Sequence, residues 1–145
     1  MFKHILIATD GSELAQKGVD QGLALAKPLG AKVTAVTVTE PMAAMMMGEA
    51  AIALPLDDYD KAASANAAQI LAGVGAAASK AGVACDTLHV KDQYPAEGIV
   101  EAAKGRGCDL IVMTSHGRRG LSKLLLGSQA TRVLTLSEVP VLVCR

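Results

Sequence analysis

Residues 108–128 read CDLIVMTSHGRRGLSKLLLGS. After Cys108 and Asp109 comes an apolar run, Leu110-Ile111-Val112-Met113, of the kind made by a strand buried on both faces. Polar and glycine residues follow from Thr114 to Gly120, and apolar character returns from Leu121 to Leu126. Gly127-Ser128 then opens a helical pattern that runs to about Ser137. A strand leading through a glycine-bearing loop into a helix start is how open α/β sheets make anion sites. Backbone N–H groups without partners gather there, glycine admits an anion closely, and the helix N-terminus carries partial positive charge.

The same alternation extends toward both ends of the chain. Lys3 to Thr9 (KHILIAT) is apolar and β-branched enough to be a central strand. Asp10-Gly11-Ser12 gives a turn and a helix N-cap, with Glu13 in the first turn, where negative charge suits the helix dipole. From Glu13 to about Ala26, residues Leu14, Gly18, Val19, Gly22, Leu23 and Ala26 fall on one helical face, whose two glycines permit close packing on a sheet. Pro28 and Gly30 end that helix. Ala31 to Thr39 is a second β-branched run, closed by Glu40-Pro41. Met42 to Leu56 has methionines, alanines and Pro55 without a firm period. It reads either as a variable connection or as a lid or adaptable contact patch.

Asp57 to Lys80 is an alanine-rich helix with Tyr59, Ile70, Leu71 and Val74 as its larger apolar residues, stopped at Gly82. The Gly73-Val74-Gly75 inside it follows no strand and is not a dinucleotide fingerprint. Val83 to Val90 is a third strand. Tyr94-Pro95 leads a helix from about Ala96 to Lys104, with Ile99 and Val100 inward and Gly105 as a stop. Leu110 to Met113 is the fourth strand and Val139 to Cys144 the fifth. Strands alternating with helices predict an α/β fold: an open, doubly wound, five-stranded parallel sheet with helices on both faces, Rossmann-like, strand order 3-2-1-4-5. Residues 1–145 form one domain on this reading. Ligands bind such sheets at the carboxyl ends of the strands where the order reverses, so Thr9-Asp10 and the 114–128 loop meet at one crevice.

Composition narrows the function. The 145 residues carry 14 basic and 14 acidic side chains, and net charge is zero. That leaves no electrostatic footprint for nucleic acid or an anionic membrane. Two Tyr, one Phe and no Trp leave little to stack on single-stranded bases. No apolar run approaches the ~20 residues of a transmembrane helix, and the first residues enter a strand pattern directly, so a cytoplasmic location is expected. Cys85, Cys108 and Cys144 are odd in number, widely spaced and set in or beside apolar runs, as buried reduced thiols are.

Motifs for covalent or metal chemistry are missing: the sequence contains no GxxxxGK[ST], GxSxG or HExxH. His4 and His89 lie in strand patterns and read as structural. His116 stands in the glycine loop, where scaffolding and ligand contact are both open. Arg118 and Arg119 read equally as phosphate partners and as solvated surface charge. Gly117 reads as a tight turn, and Asp10 and Gly127-Ser128 as helix capping, as readily as ligand contacts.

Three stretches together, ILIATDGS, MTSHGRRGLSKLLLGSQATRVL and the terminal PVLVCR, closely resemble the universal stress protein family. The resemblance covers the whole chain and is weakest over Met42 to Leu56. Nucleotide-binding members carry G-x2-G-x9-G-[ST]. Here Gly117, nine intervening residues and Gly127-Ser128 match, while Thr114 takes the place of the first glycine. The resemblance implies that Ala8, Thr9 and Asp10 border the base and ribose, Asp10 accepting from the nucleotide. Val38 would touch adenine and Met113 would form an apolar floor. Thr114, Gly117, Gly127, Ser128 and Gln129 would line the ribose and phosphates, with Ser128 as helix N-cap, and Arg118, flanking the loop, is counted with them as a candidate phosphate partner. The expected cofactor is ATP, with Mg or Mn bound through its phosphates.

The expected function is an ATP-binding stress-response or regulatory protein, homodimeric through Val139 to Cys144, with no nucleic-acid or membrane partner and room for a regulatory protein partner. Two other classes stay in competition. One is a dimeric interaction module of the same family that does not bind nucleotide, which Thr114 favours. The other is a slow ATPase, against which stands the lack of an evident general base.

Overall fold

Apolar, largely buried runs form the centre of the sheet, β1 (His4–Ala8), β2 (Lys32–Val38) and β4 (Leu110–Thr114), and the less buried β3 (Cys85–Val90) and β5 (Val141–Cys144) form its edges. The computed structural model describes residues 1–45, 55–116 and 126–145. Between the strands run α1 (Glu13–Leu29), the short α2 (Met42–Met45), α3 (Leu56–Ala81), α4 (Pro95–Arg106) and α5 (Ser128–Leu136). The order across the sheet is β3-β2-β1-β4-β5, and every pairing is parallel, as predicted. No described helix is long and apolar enough to cross a membrane.

Successive strand residues face opposite sides, and the core accordingly splits into two layers. Ile5, Ile7, Val33 and Val112 pack with Val19 and Leu23 of α1 and Leu71 and Val74 of α3. Leu6, Val36 and Ile111 pack with Ile99 of α4 and Val133 of α5 on the other side. Ile5, Leu6 and Ile7 are 0% exposed, so β1 is covered from both sides. Each such side chain contributes roughly 1.5–3 kcal/mol of burial. The predicted glycine contacts hold: a Cβ at Gly22 would lie 2.5 Å from Ile7 Cδ1, so α1 sits directly on β1.

Several boundaries and faces differ from expectation, each for a local reason. On α1, Leu14 is exposed and Ala15 buried in its place, because Ala15 stands three and four residues before Gly18 and Val19, in the middle of the buried stripe, while Leu14 stands at its margin. The helix also runs through Pro28 to Leu29, since a proline in the last turn removes one backbone bond without preventing the cap. Gly30, with φ 63°, ends it by donating to the Ala26 and Lys27 carbonyls. Val83 donates to the Ala78 carbonyl beneath the end of α3, which delays β3 to Cys85. A turn in which the Ser137 hydroxyl donates to the Val139 carbonyl delays β5 to Val141. Within Met42 to Leu56, a helical turn occupies 42–45 and α3 begins at Leu56, while 46–54 lie outside the described residues.

Candidate functional site at the β1–β4 crevice

The chain leaves β1 on one face toward α1 and returns to β4 from α4 on the other, so the carboxyl ends of β1 and β4 border a crevice. The Ile7↔Val112 register, extended two residues, sets Thr9 beside Thr114. On the β1 side the Thr9 amide still donates to the Val36 carbonyl at 3.0 Å. The turn beyond it is closed three times. Thr9 Oγ1 accepts from the Gly11 amide (3.1 Å), Asp10 Oδ1 from the Ser12 amide (2.9 Å), and Ser12 Oγ from the Ala15 amide (3.1 Å). Gly11 has φ +78°, and a Cβ there would lie 2.6 Å from Ile70 Cγ1, so α3 presses on this turn from outside. Ser12 caps α1 as expected.

On the β4 side the strand end is tied into the mouth of the loop. The Ser115 amide donates to the Cys144 carbonyl at 2.8 Å, and the Gly127 amide donates back to the Ser115 carbonyl at 2.9 Å. The far end of the loop therefore returns to its beginning. A Cβ on Gly127 would overlap the Ser115 carbonyl oxygen and come within 3.4 Å of the His116 ring. His116 Nδ1 lies 3.3 Å from Ser115 Oγ, so the ring is part of the loop's scaffold. Thr114 donates its hydroxyl to the His116 carbonyl at 2.8 Å. Its methyl faces α1, 3.1 Å from where a Cβ on Gly18 would stand.

The apolar residues expected at the base fall together. Ala8 and Met113 are buried in the α4–α5 layer, and Val38 packs at its margin, with both its methyls 3.0 Å from a would-be Cβ on Gly98 of α4. The Thr39 amide donates to the Val90 carbonyl at 2.8 Å. Backbone groups alternate sides along a strand, so the N–H and C=O of Val38 face the β1 side, toward the crevice.

One assignment is corrected at the helix start. Gly127, and not Ser128, is the N-cap of α5, with φ −62° and ψ 154°, and Ser128 is the first helical residue. The amide of Gly127 reaches back to Ser115, which places the helix boundary one residue earlier than the Gly-Ser pattern implied. Ser128 and Gln129 are exposed on the first turn. Gly117 and Arg118 lie outside the described residues, as do Arg119 and Gly120. The sequence reading missed the seating of Thr114 on Gly18 and of Ile70 on Gly11. The paired glycines of α1 were the available signal for the first, and the distant α3 offered none for the second.

His4 and His89 have structural partners. His4 Nε2 lies 2.7 Å from Thr34 Oγ1, and burial, aided by Lys32, holds its pKa below the usual value. His89 Nε2 lies 2.6 Å from Thr39 Oγ1, and burial, with Lys91, lowers it likewise. All three cysteines are free. Burial, reinforced by Asp109, pushes the Cys108 thiol up to about 11, and burial also raises Cys144 and Cys85.

Fold and crevice together define a Rossmann-like α/β domain. The chain belongs to the universal stress protein family, whose model matches residues 1–145. It is 31% identical over 149 residues to Universal stress protein YxiE of Bacillus subtilis (strain 168), with 100% of both chains covered. Among solved structures it resembles MJ0577 of Methanocaldococcus jannaschii at a TM-score of 0.83 and 27% identity, covering 99% of this chain and 95% of that one. It also shares its fold with a universal stress protein in complex with cAMP (TM-score 0.70, 23% identity, 99% and 97% covered). A further likeness is a universal stress protein of Archaeoglobus fulgidus in complex with dAMP (0.66, 18%, 100% and 98%).

Proposed function

We propose that this protein is a regulatory universal stress protein that binds an adenine nucleotide, ATP foremost, in the β1–β4 crevice. The observation that carries the reading is the start of α5. The other helices of eight residues or more have an acid in the first turn: Glu13 in α1, Asp57 and Asp58 in α3, Glu97 in α4. α5 has none, and its N-cap is a glycine, without a side chain to close it. Among the described residues, its first turn thus has neither the acid that the others possess nor a capping side chain, which suits an external phosphate. At the end of β2, the inward N–H and C=O of Val38 offer a donor–acceptor pair matching the edge of adenine. Ala8 and Met113 supply an apolar floor. That two structural neighbours were solved with cAMP and dAMP agrees with this class of ligand.

Thr114 is compatible with binding, because its methyl packs on α1 and its hydroxyl is engaged by His116. Among the described residues no three His, Cys, Asp or Glu side chains are grouped to hold a metal. A Mg or Mn ion would therefore be held through the phosphates it accompanies. The β5 edge, where Leu142 is exposed and Val141 and Val143 are half-buried, would pair with the same strand of a second copy.

Thermal unfolding with and without ATP and Mg or Mn tests the reading. Ligand at 100 times its dissociation constant stabilises the fold by about 2.7 kcal/mol, so a clear upward shift of Tm is expected. An unchanged Tm at millimolar ATP would overturn nucleotide binding in favour of an interaction module, and a shift with rapid phosphate release would make the protein an ATPase.

A further inference from the structure

The geometry points to Thr114 as a latch: a positioning residue that sets the affinity of the crevice by holding the mouth of the loop, without itself contacting ligand. The inference rests on the nucleotide-binding reading for its consequence, and on geometry for the latch itself. β4 ends at Thr114, and the chain bends at Ser115, whose amide still bonds to Cys144 of β5, before His116 enters the loop. A hydroxyl on the last strand residue that donates to the carbonyl two residues later closes this turn. The closure matters because the carbonyl between them, that of Ser115, receives the Gly127 amide. If the turn opens, the Ser115 carbonyl swings, and the start of α5 loses its registration against the tip of β4. The amides that would meet a phosphate are those of the residues directly after Gly127. A side chain on β4 thereby fixes the position of an anion-binding group on a different element.

The two ends of the Thr114 side chain divide the labour. The methyl is braced by α1 at Gly18, which restricts χ1, already stiff in a β-branched residue, and so aims the hydroxyl at His116. Preorganising a ligand-contacting segment increases affinity because its ordering no longer has to be met by the ligand.

Two substitutions separate this role from ordinary packing. Thr114→Val keeps the shape against Gly18 and removes the donor, while Thr114→Ser keeps the donor and removes the methyl. Two measurements are made on the full-length chain: amide hydrogen exchange at Gly127 without ligand, and calorimetric affinity for ATP with Mg. The expected result for Thr114→Val is exchange at Gly127 faster by about tenfold or more, with ATP affinity weaker by about tenfold. Thr114→Ser should remain within about threefold of the parent in both. Unchanged exchange at Gly127 in Thr114→Val overturns the latch, whatever happens to binding. Faster exchange with unchanged affinity overturns its role in binding. A Thr114→Ser protein impaired more than Thr114→Val makes the residue a packing group and overturns the proposal. If the parent protein binds no nucleotide, the functional reading and the affinity role fail together, and exchange alone decides whether the latch exists.

Discussion

Gly127 has no room for a methyl group. Its neighbour on the missing side is the Ser115 carbonyl, a backbone atom that cannot rotate away, and the Gly127 amide is bonded to that same oxygen. The smallest substitution must therefore part the two ends of the loop. We expect Gly127→Ala to cost about 1–3 kcal/mol of stability, as overpacking commonly does, and to bring nucleotide affinity well below that of the parent. Urea unfolding paired with calorimetric titration checks both, and affinity equal to the parent's would remove the loop mouth from the site. Residues of this kind were partly legible in the sequence. The spacing that joins Gly117 to Gly127-Ser128 directed attention to the carboxyl end of the sheet. It could not say that Gly127 serves the closure of the loop, because the carbonyl it avoids belongs to Ser115, twelve residues earlier. Nor could it show that Thr114, which looks like an obstruction where a glycine is customary, turns its methyl onto α1.

At the scale of elements, strands were easier to read than helix ends. A parallel strand covered from both sides is a nearly unbroken apolar run, as Leu110 to Met113 is, and the alternation of such runs with longer helical patterns identifies it as a strand. Helix termini depend on single bonds, such as the cap that carries α1 past Pro28, and these leave little trace in hydropathy. The edge strands differ in what they leave open. β5 pairs with β4 through Ile111↔Val141 to Thr114↔Cys144, and its outer side belongs to no strand of the described sheet. Leu142, 40% exposed, projects from it. If a second copy pairs there, Leu142→Arg should place like charges across the two-fold axis and weaken the dimer by roughly tenfold or more. Sedimentation of parent and variant over a concentration series decides the matter, and a parent that stays monomeric throughout would exclude pairing at β5.

For the whole molecule, strand order was the most accessible property, since alternation and right-handed crossovers leave few arrangements. The contact of Ile70 with Gly11 was not accessible, because it joins residues 59 positions apart through the packing of α3 on α1's side of the sheet. The division of the core into two layers has a practical consequence through the cysteines. Cys144 lies in the α1–α3 layer and Cys108 in the α4–α5 layer, and burial suppresses the reactive thiolate of each. A disulfide reagent at neutral pH must then wait for a layer to come apart before it finds its sulfur. Mass spectrometry of the two peptides during slow modification should show whether both halves of the core loosen in one event, at a common rate, or whether one half breathes first. The chain thus carries a built-in clock on either side of its sheet, readable without substituting a single residue.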